Sequence, residues 1–188
     1  IDLDGSIITS ADGTTWAQTS PKLNQTTRDI VYSAADSLYV LVGDGGVFTS
    51  PDGIVWTTRK VLDLYAVAYS STLDLFVAFD SSLKVYTSSD GMTWTNTATL
   101  SNAVLSVMWS PAVSLFVAGG SSKVFTSPDG TTWTSYTVGG VNYEGIAYSP
   151  SAGVHVIVGA GGALYTSPDA VTWTPRTSGA VGALHDVC

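Results

Sequence analysis

Short apolar stretches alternate with clusters of Ser, Asp, Gly and Pro along the whole chain. In one representative stretch, residues 66–70, 75–79, 84–87 and 93–97 are β-prone segments that turn residues separate. No segment shows helical periodicity with a capped start and stop, so almost no helix is expected. The pattern therefore predicts an all-β chain built from short strands.

The same four segments return about every 40 residues, and we call each recurrence a unit. The first strands of the units align as residues 29–32, 66–69, 106–109, 145–148 and 186–188. The second strands align as residues 38–42, 75–79, 115–119 and 154–158. A repeated four-stranded antiparallel sheet that cannot bury both faces alone is typical of a β-propeller blade. We predict an all-β, five-bladed β-propeller of four-stranded antiparallel blades.

The unit boundaries predict one domain over residues 1–188. Four units cover approximately residues 28–61, 65–100, 104–140 and 143–180, and the closing unit combines residues 184–188 with 1–26. Strands from both ends of the sequence would then share one blade and remove the open sheet edges. The closing unit has no counterpart of the ten positions 148–157, which hold the second strand. A three-stranded blade, a larger ring and residues missing from the sequence all explain this gap, and we favour missing residues.

A seven-residue phrase, Ser-x-Asp-Gly-x-x-Trp, joins the third and fourth strands of every unit, and we call it the Asp turn. Its five Trp residues lie 40, 38, 39 and 40 residues apart, and Ala170 replaces Gly in the last copy. The Asp and Trp residues of the five copies are Asp12, Trp16, Asp52, Trp56, Asp90, Trp94, Asp129, Trp133, Asp169 and Trp173.

The residue types of the Asp turn explain it as a structural feature. Asp accepts hydrogen bonds from the following backbone N–H groups, Gly supplies a positive φ, and Trp packs beside the sheet. We expect Ala170 to relax the Gly-dependent geometry in the last copy. Five acidic sites for calcium or sugar are the alternative, and we favour the structural role because this fold requires recurrent Asp-Gly turns.

The Asp turn resembles the Asp box of BNR repeats, which occurs in sialidases, other glycoside hydrolases, sortilin-type receptors, photosystem assembly factors and many bacterial and phage proteins. The usual Asp box has one more residue between Asp and Gly. The shorter form seen here resembles that of secreted and virion-associated repeat proteins, along the whole length of the chain. The resemblance implies a β-propeller and an extracellular or virion-associated location, but no single function.

Charge and composition narrow the class of partner. The net charge is −8, with seven Lys and Arg residues and no basic run. Nucleic acids and anionic membrane surfaces are bound by clustered Lys and Arg, so we expect neither as a partner. No apolar run is long enough to cross a bilayer, so no membrane insertion is expected. Cys188 is the only cysteine, so an internal disulfide is excluded. Because it aligns with apolar residues of the other first strands, we expect Cys188 to be buried as a small apolar side chain.

The turns between second and third strands lie, in propellers, on the face opposite the Asp turns. They are residues 2–6, 43–46, 80–82, 119–122 and 159–162. Short polar loops on a rigid scaffold often bind ligands, although tight hairpins explain them equally well. The Gly-rich turns precede no helix, which argues against a phosphate site. Asp2-x-Asp4-Gly5 lacks the later ligands of a calcium loop, so we interpret it as a turn and predict no metal or cofactor.

Charged residues gather at one level of the aligned first strands. Arg28, Tyr65, Leu105, Glu144 and His185 share this level, and Asp29 and Asp186 share the next. Innermost strands line a propeller's central channel, so these side chains are expected near one rim. An acid–base pair, a metal site, a sugar site and a plain ion-pair patch all fit, and we favour the patch. The candidate ligand-binding residues are Arg28, Asp29, Glu144, His185, Asp186, Tyr65, Tyr136, Tyr143, Asp44 and Asp80.

The resemblance to sialidases allows a test for catalysis. Sialidases have six blades, an arginine triad, a tyrosine nucleophile with a glutamate behind it, and an acidic proton donor. This chain has three Arg residues, of which Arg59 and Arg176 occupy the same outer-strand position, and one Glu, Glu144. A pair of carboxylates would need an Asp partner. We therefore predict no enzyme activity and no catalytic residues.

These features together predict a non-enzymatic binding or structural module. We expect a lectin-like or attachment role on a virion or secreted surface, with a glycan or another surface or virion protein as partner. A protein-docking scaffold or assembly factor is the alternative, and a glycan-processing enzyme fragment is a further one. His155 lies between apolar neighbours in a second strand and is interpreted as a strand-face residue rather than a ligand.

Overall fold

The computed structural model describes residues 5–18 and 23–188, so the turn predicted at residues 2–4 lies outside the described part. Within these ranges the chain forms sixteen β-strands and one three-residue 3₁₀ helix, Ala160–Gly162. The expected all-β chain with almost no helix is confirmed. The described residues contain no helix of the length and apolar character that a membrane crossing needs.

The first two units form separate four-stranded antiparallel sheets in which neighbours along the chain are neighbours in the sheet. The first sheet contains β3 (Thr27–Ser33), β4 (Leu38–Gly43), β5 (Gly46–Ser50) and β6 (Thr57–Lys60). The second contains β7 (Leu64–Ser70), β8 (Leu75–Asp80), β9 (Lys84–Ser88) and β10 (Thr95–Thr99). The predicted strand order within a unit is therefore observed in both.

The third and fourth units are joined in one six-stranded sheet. Its strands are β11 (Val104–Ser110), β12 (Leu115–Ser127), β13 (Thr134–Ser149), β14 (Val154–Gly159), β15 (Ala163–Ser167) and β16 (Thr174–Pro175). β12 covers both middle strands of its unit, and Ser122 within it has a φ of 61°. β13 runs through the boundary predicted between residues 140 and 143, with positive φ at Gly139 and Gly140.

Within its described residues, the closing unit has fewer strands than its neighbours. β1 (Ile8–Thr9) and β2 (Ala17–Gln18) form a two-stranded antiparallel sheet. The strand predicted at residues 186–188 is wrong, because residues 183–188 form no strand. The Leu184 N–H donates to the carbonyl of Gly159 at 3.0 Å, but no strand of the described chain pairs with this segment. Cys188 is exposed for the same reason, which corrects its predicted burial.

The core lies between consecutive units. Val40 and Val42 of β4 share a buried cluster with Val67 of β7. In the same way, Val77 and Phe79 of β8 cluster with Val107 of β11, and Val117 of β12 clusters with Ile146 of β13. One face of β4, β8 and β12 thus covers the first strand of the next unit, which buries apolar area that a single sheet would leave in water.

The Asp turns have the predicted hydrogen bonds. In each copy, one carboxylate oxygen of Asp accepts the N–H groups two and three residues later, at 2.7–2.9 Å. These donors hold the pKa of Asp52 below its usual range and that of Asp169 at about 2, since hydrogen bonds to a carboxylate favour its charged form. The indole N–H of Trp56, Trp94, Trp133 and Trp173 donates to the carbonyl three residues earlier, at 3.1–3.2 Å.

Two members of the Asp turns differ from the prediction. Ala170 does not relax the turn, because it keeps a φ of 61° while fully buried. Trp94 is 4% exposed, but Trp16 is 57% exposed and lacks the expected packing. Trp94 packs near Phe76 of its second strand, with ring centroids 6.3 Å apart, and the described closing unit has no second strand.

Candidate binding pocket at the inner strands

The first strands of the units lie side by side, with β3 beside β7, β7 beside β11, and β11 beside β13. This arrangement brings together Arg28, Tyr65, Leu105, Glu144 and His185, which we call the rim pocket. The pocket has a volume of about 460 Å³. A smaller adjoining cavity of about 270 Å³ shares these residues and adds Asp29, Ser106 and Asp186. The residues that share one level in the aligned first strands therefore lie close together in the structure.

Arg28 is held in place on two sides. Its Nε and Nη2 lie 2.8 and 3.1 Å from the two carboxylate oxygens of Asp44. Its guanidinium carbon lies 4.0 Å from the centre of the Tyr65 ring, within the range of a cation–π contact. The bond to Asp44 raises the pKa of Arg28 above its usual value. The side chain therefore presents a fixed positive charge at one wall of the pocket.

Glu144 and His185 form a second contacting pair in the pocket. Oε2 of Glu144 lies 2.5 Å from Nδ1 of His185. The His185 side chain is 78% exposed and that of Glu144 is 31% exposed, so water screens the pair. The pair adds a carboxylate and an imidazole to the lining of the pocket. Leu105 and Tyr65, which line the same pocket, are partly buried.

Asp29 acts as a link between units. Its two carboxylate oxygens accept the N–H of Ile30 at 2.8 Å and the N–H of Val67 at 2.9 Å. Burial raises the pKa of Asp29 to about 6, and the charge of Asp186 adds to this rise. Asp186 accepts the N–H of Val187 at 2.8 Å. These bonds explain Asp29 as a structural residue that lines the adjoining cavity.

Four predicted ligand residues line neither the rim pocket nor the adjoining cavity, and one of them, Asp44, contacts Arg28 from outside. Tyr143 is fully buried and donates its hydroxyl to the carbonyl of Val138, so it cannot contact a ligand at the surface. Asp80 is 8% exposed and accepts the N–H groups of Ser82 and Lys84, as a turn residue does. Tyr136 packs on the buried cluster between the third and fourth units.

The prediction for His155 agrees with its position. The ring is fully buried, with Nε2 2.7 Å from the hydroxyl of Ser110 in the neighbouring unit. Burial lowers the pKa of His155, so the neutral form is favoured. Among residues 5–18 and 23–188, no group of three His, Cys, Asp or Glu side chains is placed to hold a metal ion.

One feature of the surface was not predicted. A cleft of about 580 Å³ lies where the closing unit meets the first unit, lined by Ser6, Ile7, Ile8, Trp16, Thr27, Ile30 and Leu41. Sequence reasoning missed this cleft, although the ten unmatched positions in the closing unit were a signal for it.

No protein-family model matches the chain, and no curated protein matches it in sequence. Among solved structures, it is similar to an ancestral GH74 enzyme, with a TM-score of 0.76 at 14% identity over 97% of this chain and 29% of that one. It is also similar to the WD40 β-propeller domain of Doa1, with a TM-score of 0.67 at 14% identity over 96% of this chain and 60% of that one.

A third similar structure is YCF48 bound to D1 peptide, with a TM-score of 0.64 at 20% identity. The likeness covers 91% of this chain and 60% of that one. The chain therefore spans less than two thirds of the length of each of these three structures. At such identities the likeness is one of fold, and the fold of this chain is a β-propeller.

Proposed function

We propose that this β-propeller is a non-enzymatic binding module whose rim pocket holds a short polypeptide segment of a partner protein. The observation that carries the proposal is the pocket's mixed lining. Arg28 and Glu144 present opposite charges, while Tyr65 and Leu105 supply aromatic and aliphatic surface between them. A peptide offers carbonyl oxygens, N–H groups and apolar side chains within a few ångströms, which such a lining can match.

The charged groups of the pocket are positioned before any ligand arrives. Asp44 and the Tyr65 ring fix Arg28, and His185 contacts Glu144. A side chain that is already ordered loses less conformational entropy on binding, so more of the contact energy appears as affinity. YCF48, which shares this fold, was determined with a bound peptide, and this supports a peptide as the class of ligand.

We further propose that the ring has five blades of the Asp-box type and closes through residues 5–18 and 184–188. Several contacts support the closure. The Leu23 N–H donates to the carbonyl of Gly5 at 3.2 Å, and Leu184 bonds to Gly159. A side chain added at Gly145 would come within 2.7 Å of the Asp186 Cα, so the last segment packs directly on β13.

The proposal that the module is not an enzyme is supported by the places of its arginines. Nε of Arg59 donates to the hydroxyl of Thr49 at 2.7 Å, and Nε of Arg176 donates to that of Thr166 at 2.8 Å. Arg59 lies in β6 and Arg176 directly follows β16, and neither lines the rim pocket. Arg28 therefore has no second guanidinium from these strands beside it, as an arginine triad would need.

A glycan is the weaker ligand class for the same pocket. Sugars stack on open aromatic faces, whereas Arg28 covers one face of Tyr65 at 4.0 Å, and Tyr143 is buried. The short Asp turn still favours a virion or secreted surface as the place of action. A partner protein exposed on such a surface agrees with this location and with a peptide as the ligand. A lectin role is therefore one outcome of the test rather than the proposal.

Selection from a displayed library of random peptides tests the function, with a glycan array run in parallel. We expect enriched peptides to bind about tenfold more weakly after Leu105→Arg, which puts a second cation into the pocket. Leu73→Arg is the matched control, because Leu73 is 41% exposed in the turn between β7 and β8. Glycan hits without peptide enrichment, or equal losses in both variants, would contradict the proposal.

A further inference from the structure

Lys60 of β6 reaches from the first unit to the second with its ammonium group. Its Nζ donates to the carbonyl of Trp94 at 2.8 Å and lies 5.7 Å from the centre of the Tyr86 ring. Both partners belong to the second unit, and they are only 4% and 7% exposed. An alkyl stem that covers aromatic surface while its charged head finds an acceptor is a favourable place for a lysine. The chain itself thus shows how a groove between two units binds an ammonium group.

Ala98 of β10 is the residue that matches Lys60 in the next unit. Each of the two lies four residues after the Trp of its Asp turn. Each also pairs with a buried valine at the second position of the third strand, Val47 for Lys60 and Val85 for Ala98. Ala98 has a methyl group where Lys60 has four methylenes and an ammonium. The groove between the second and third units therefore has the same framework without the cation.

This groove is a cavity of about 300 Å³ beside Ala98. Its lining includes Phe125 and Trp133, which match Tyr86 and Trp94 of the preceding groove. Four side chains add hydroxyl groups to the lining: Thr99, Ser101, Thr131 and Ser135. Trp133 is only partly buried, unlike Trp94. Within residues 5–18 and 23–188, no side chain donates to the carbonyl of Trp133, which corresponds to the acceptor of Lys60.

We propose that the groove between the second and third units binds the side chain of a lysine from a partner polypeptide. Phe125 and Trp133 hold the alkyl stem, and the carbonyl of Trp133 accepts from the ammonium group. An ammonium has three donors, and the hydroxyls of Thr131 and Ser135 offer further acceptors in the same lining. The net charge of −8 attracts a cationic segment. The site is separate from the rim pocket and does not rest on the function proposed for it.

Lys123 lies at the edge of the groove and limits its affinity. Its Nζ is 3.2 Å from the hydroxyl of Ser101, in a bond exposed to water, whereas Asp63 matches Ser101 beside Lys60. A bound ammonium group therefore meets a neighbouring positive charge, which water and salt screen. We expect a dissociation constant on the order of 1 mM for a single lysine. Lys123→Gln should tighten binding about twofold to threefold.

A titration of the isotope-labelled full chain with acetyl-Gly-Lys-Gly-amide tests the site through the indole N–H signals in NMR spectra. The chain has six Trp residues, and Trp133→Phe identifies the signal of Trp133. We expect this signal to shift saturably. The same peptide with norleucine in place of lysine should bind at least about tenfold more weakly, because it keeps the stem and lacks the ammonium group.

Two lysine substitutions in β10 form a matched pair for this titration. Ala98→Lys supplies a tethered ammonium group as Lys60 does, so it should weaken binding of the peptide about tenfold or more. Thr95→Lys is the control, because it adds the same charge to β10 at an exposed residue outside the lining. Lys60→Ala gives the converse test. It empties the preceding groove, so the lysine peptide should then shift the signal of Trp94 as well.

The other outcomes decide against the proposal. Lack of a saturable Trp133 shift, equal binding of the norleucine peptide, or equal losses in Ala98→Lys and Thr95→Lys would overturn it. Binding of propylammonium without binding of the lysine peptide would identify a free amine as the ligand and also contradict it. If circular dichroism shows that Ala98→Lys does not fold, an unchanged Trp94 signal in Lys60→Ala overturns the proposal instead. Leu105→Arg should leave the Trp133 shift unchanged, which keeps this test separate from that of the rim pocket.

Discussion

At the scale of single residues, the Asp turn combines two requirements that sequence alone shows only in part. The positive φ of its fourth residue follows from the Gly in four copies, with φ between 68° and 73°. The space around that residue does not follow from sequence. Ala170 shows that an L-residue is accommodated in this conformation where its neighbours leave room, so strain and space act separately.

Two Gly→Ala substitutions separate strain from space. Gly13 has a φ of 72° and nothing within 4 Å of an added Cβ, so Gly13→Ala should cost about 1 kcal/mol of unfolding free energy from strain. Gly91 has a φ of 68°, and its Cβ would lie 2.7 Å from Cγ2 of Val40, so Gly91→Ala should cost about 2–4 kcal/mol. Denaturant unfolding measures both, and equal costs would contradict the account of crowding.

Asp29 gives a pH dependence with a definite sign. Its pKa in the folded chain is about 6, above the usual 3.8, so the folded state binds its proton more tightly than the unfolded state does. The stability that this proton contributes is complete below the unfolded pKa and is lost as pH rises through 6. Relative to Asp29→Asn, the wild-type unfolding free energy should therefore fall between pH 4 and 7. Parallel pH profiles for the two proteins would show that Asp29 is not buried as described.

At the scale of strands, the sequence predicted the order of elements because each strand repeats the same apolar row. Residues 38–42 and 75–79 lie in β4 and β8 as expected. Residues 186–188 show the limit of this reasoning, because their row matches the other first strands but a strand forms only beside a partner. Likewise, Tyr143 was a predicted ligand residue, yet it is buried by packing between units that no single row reveals.

The packing between units predicts where stability resides. Phe79 is 1% exposed and meets the Trp133 ring of the next unit edge-on at 5.3 Å. Phe79→Ala should therefore cost about 3–5 kcal/mol, because it removes a buried ring and leaves a cavity between two sheets. Val61→Ala, at a residue 81% exposed, should change the unfolding free energy by less than about 0.5 kcal/mol. A small effect at Phe79, measured by denaturant unfolding, would mean that each sheet is stable without its neighbour.

At the scale of the whole molecule, the gathering of charged residues at one level of the first strands was predictable, because the repeat fixes which residues of the units align. The contacts of each side chain were not predictable, since Arg28 binds Asp44 of a neighbouring turn as well as the Tyr65 ring of its own level. The cleft beside Ile30 lies next to the closing unit, in which the sequence left ten positions unmatched.

The proposed function makes the rim pocket the place where a partner segment binds. An amide NMR spectrum of the isotope-labelled chain, recorded during titration with the strongest peptide from the display selection, tests this most directly. The account predicts saturable shifts centred on Arg28, Tyr65, Leu105, Glu144 and His185, with the Asp turns unchanged. Shifts that centre on the Asp turns or on the outer strands, with the rim pocket unaffected, would contradict it.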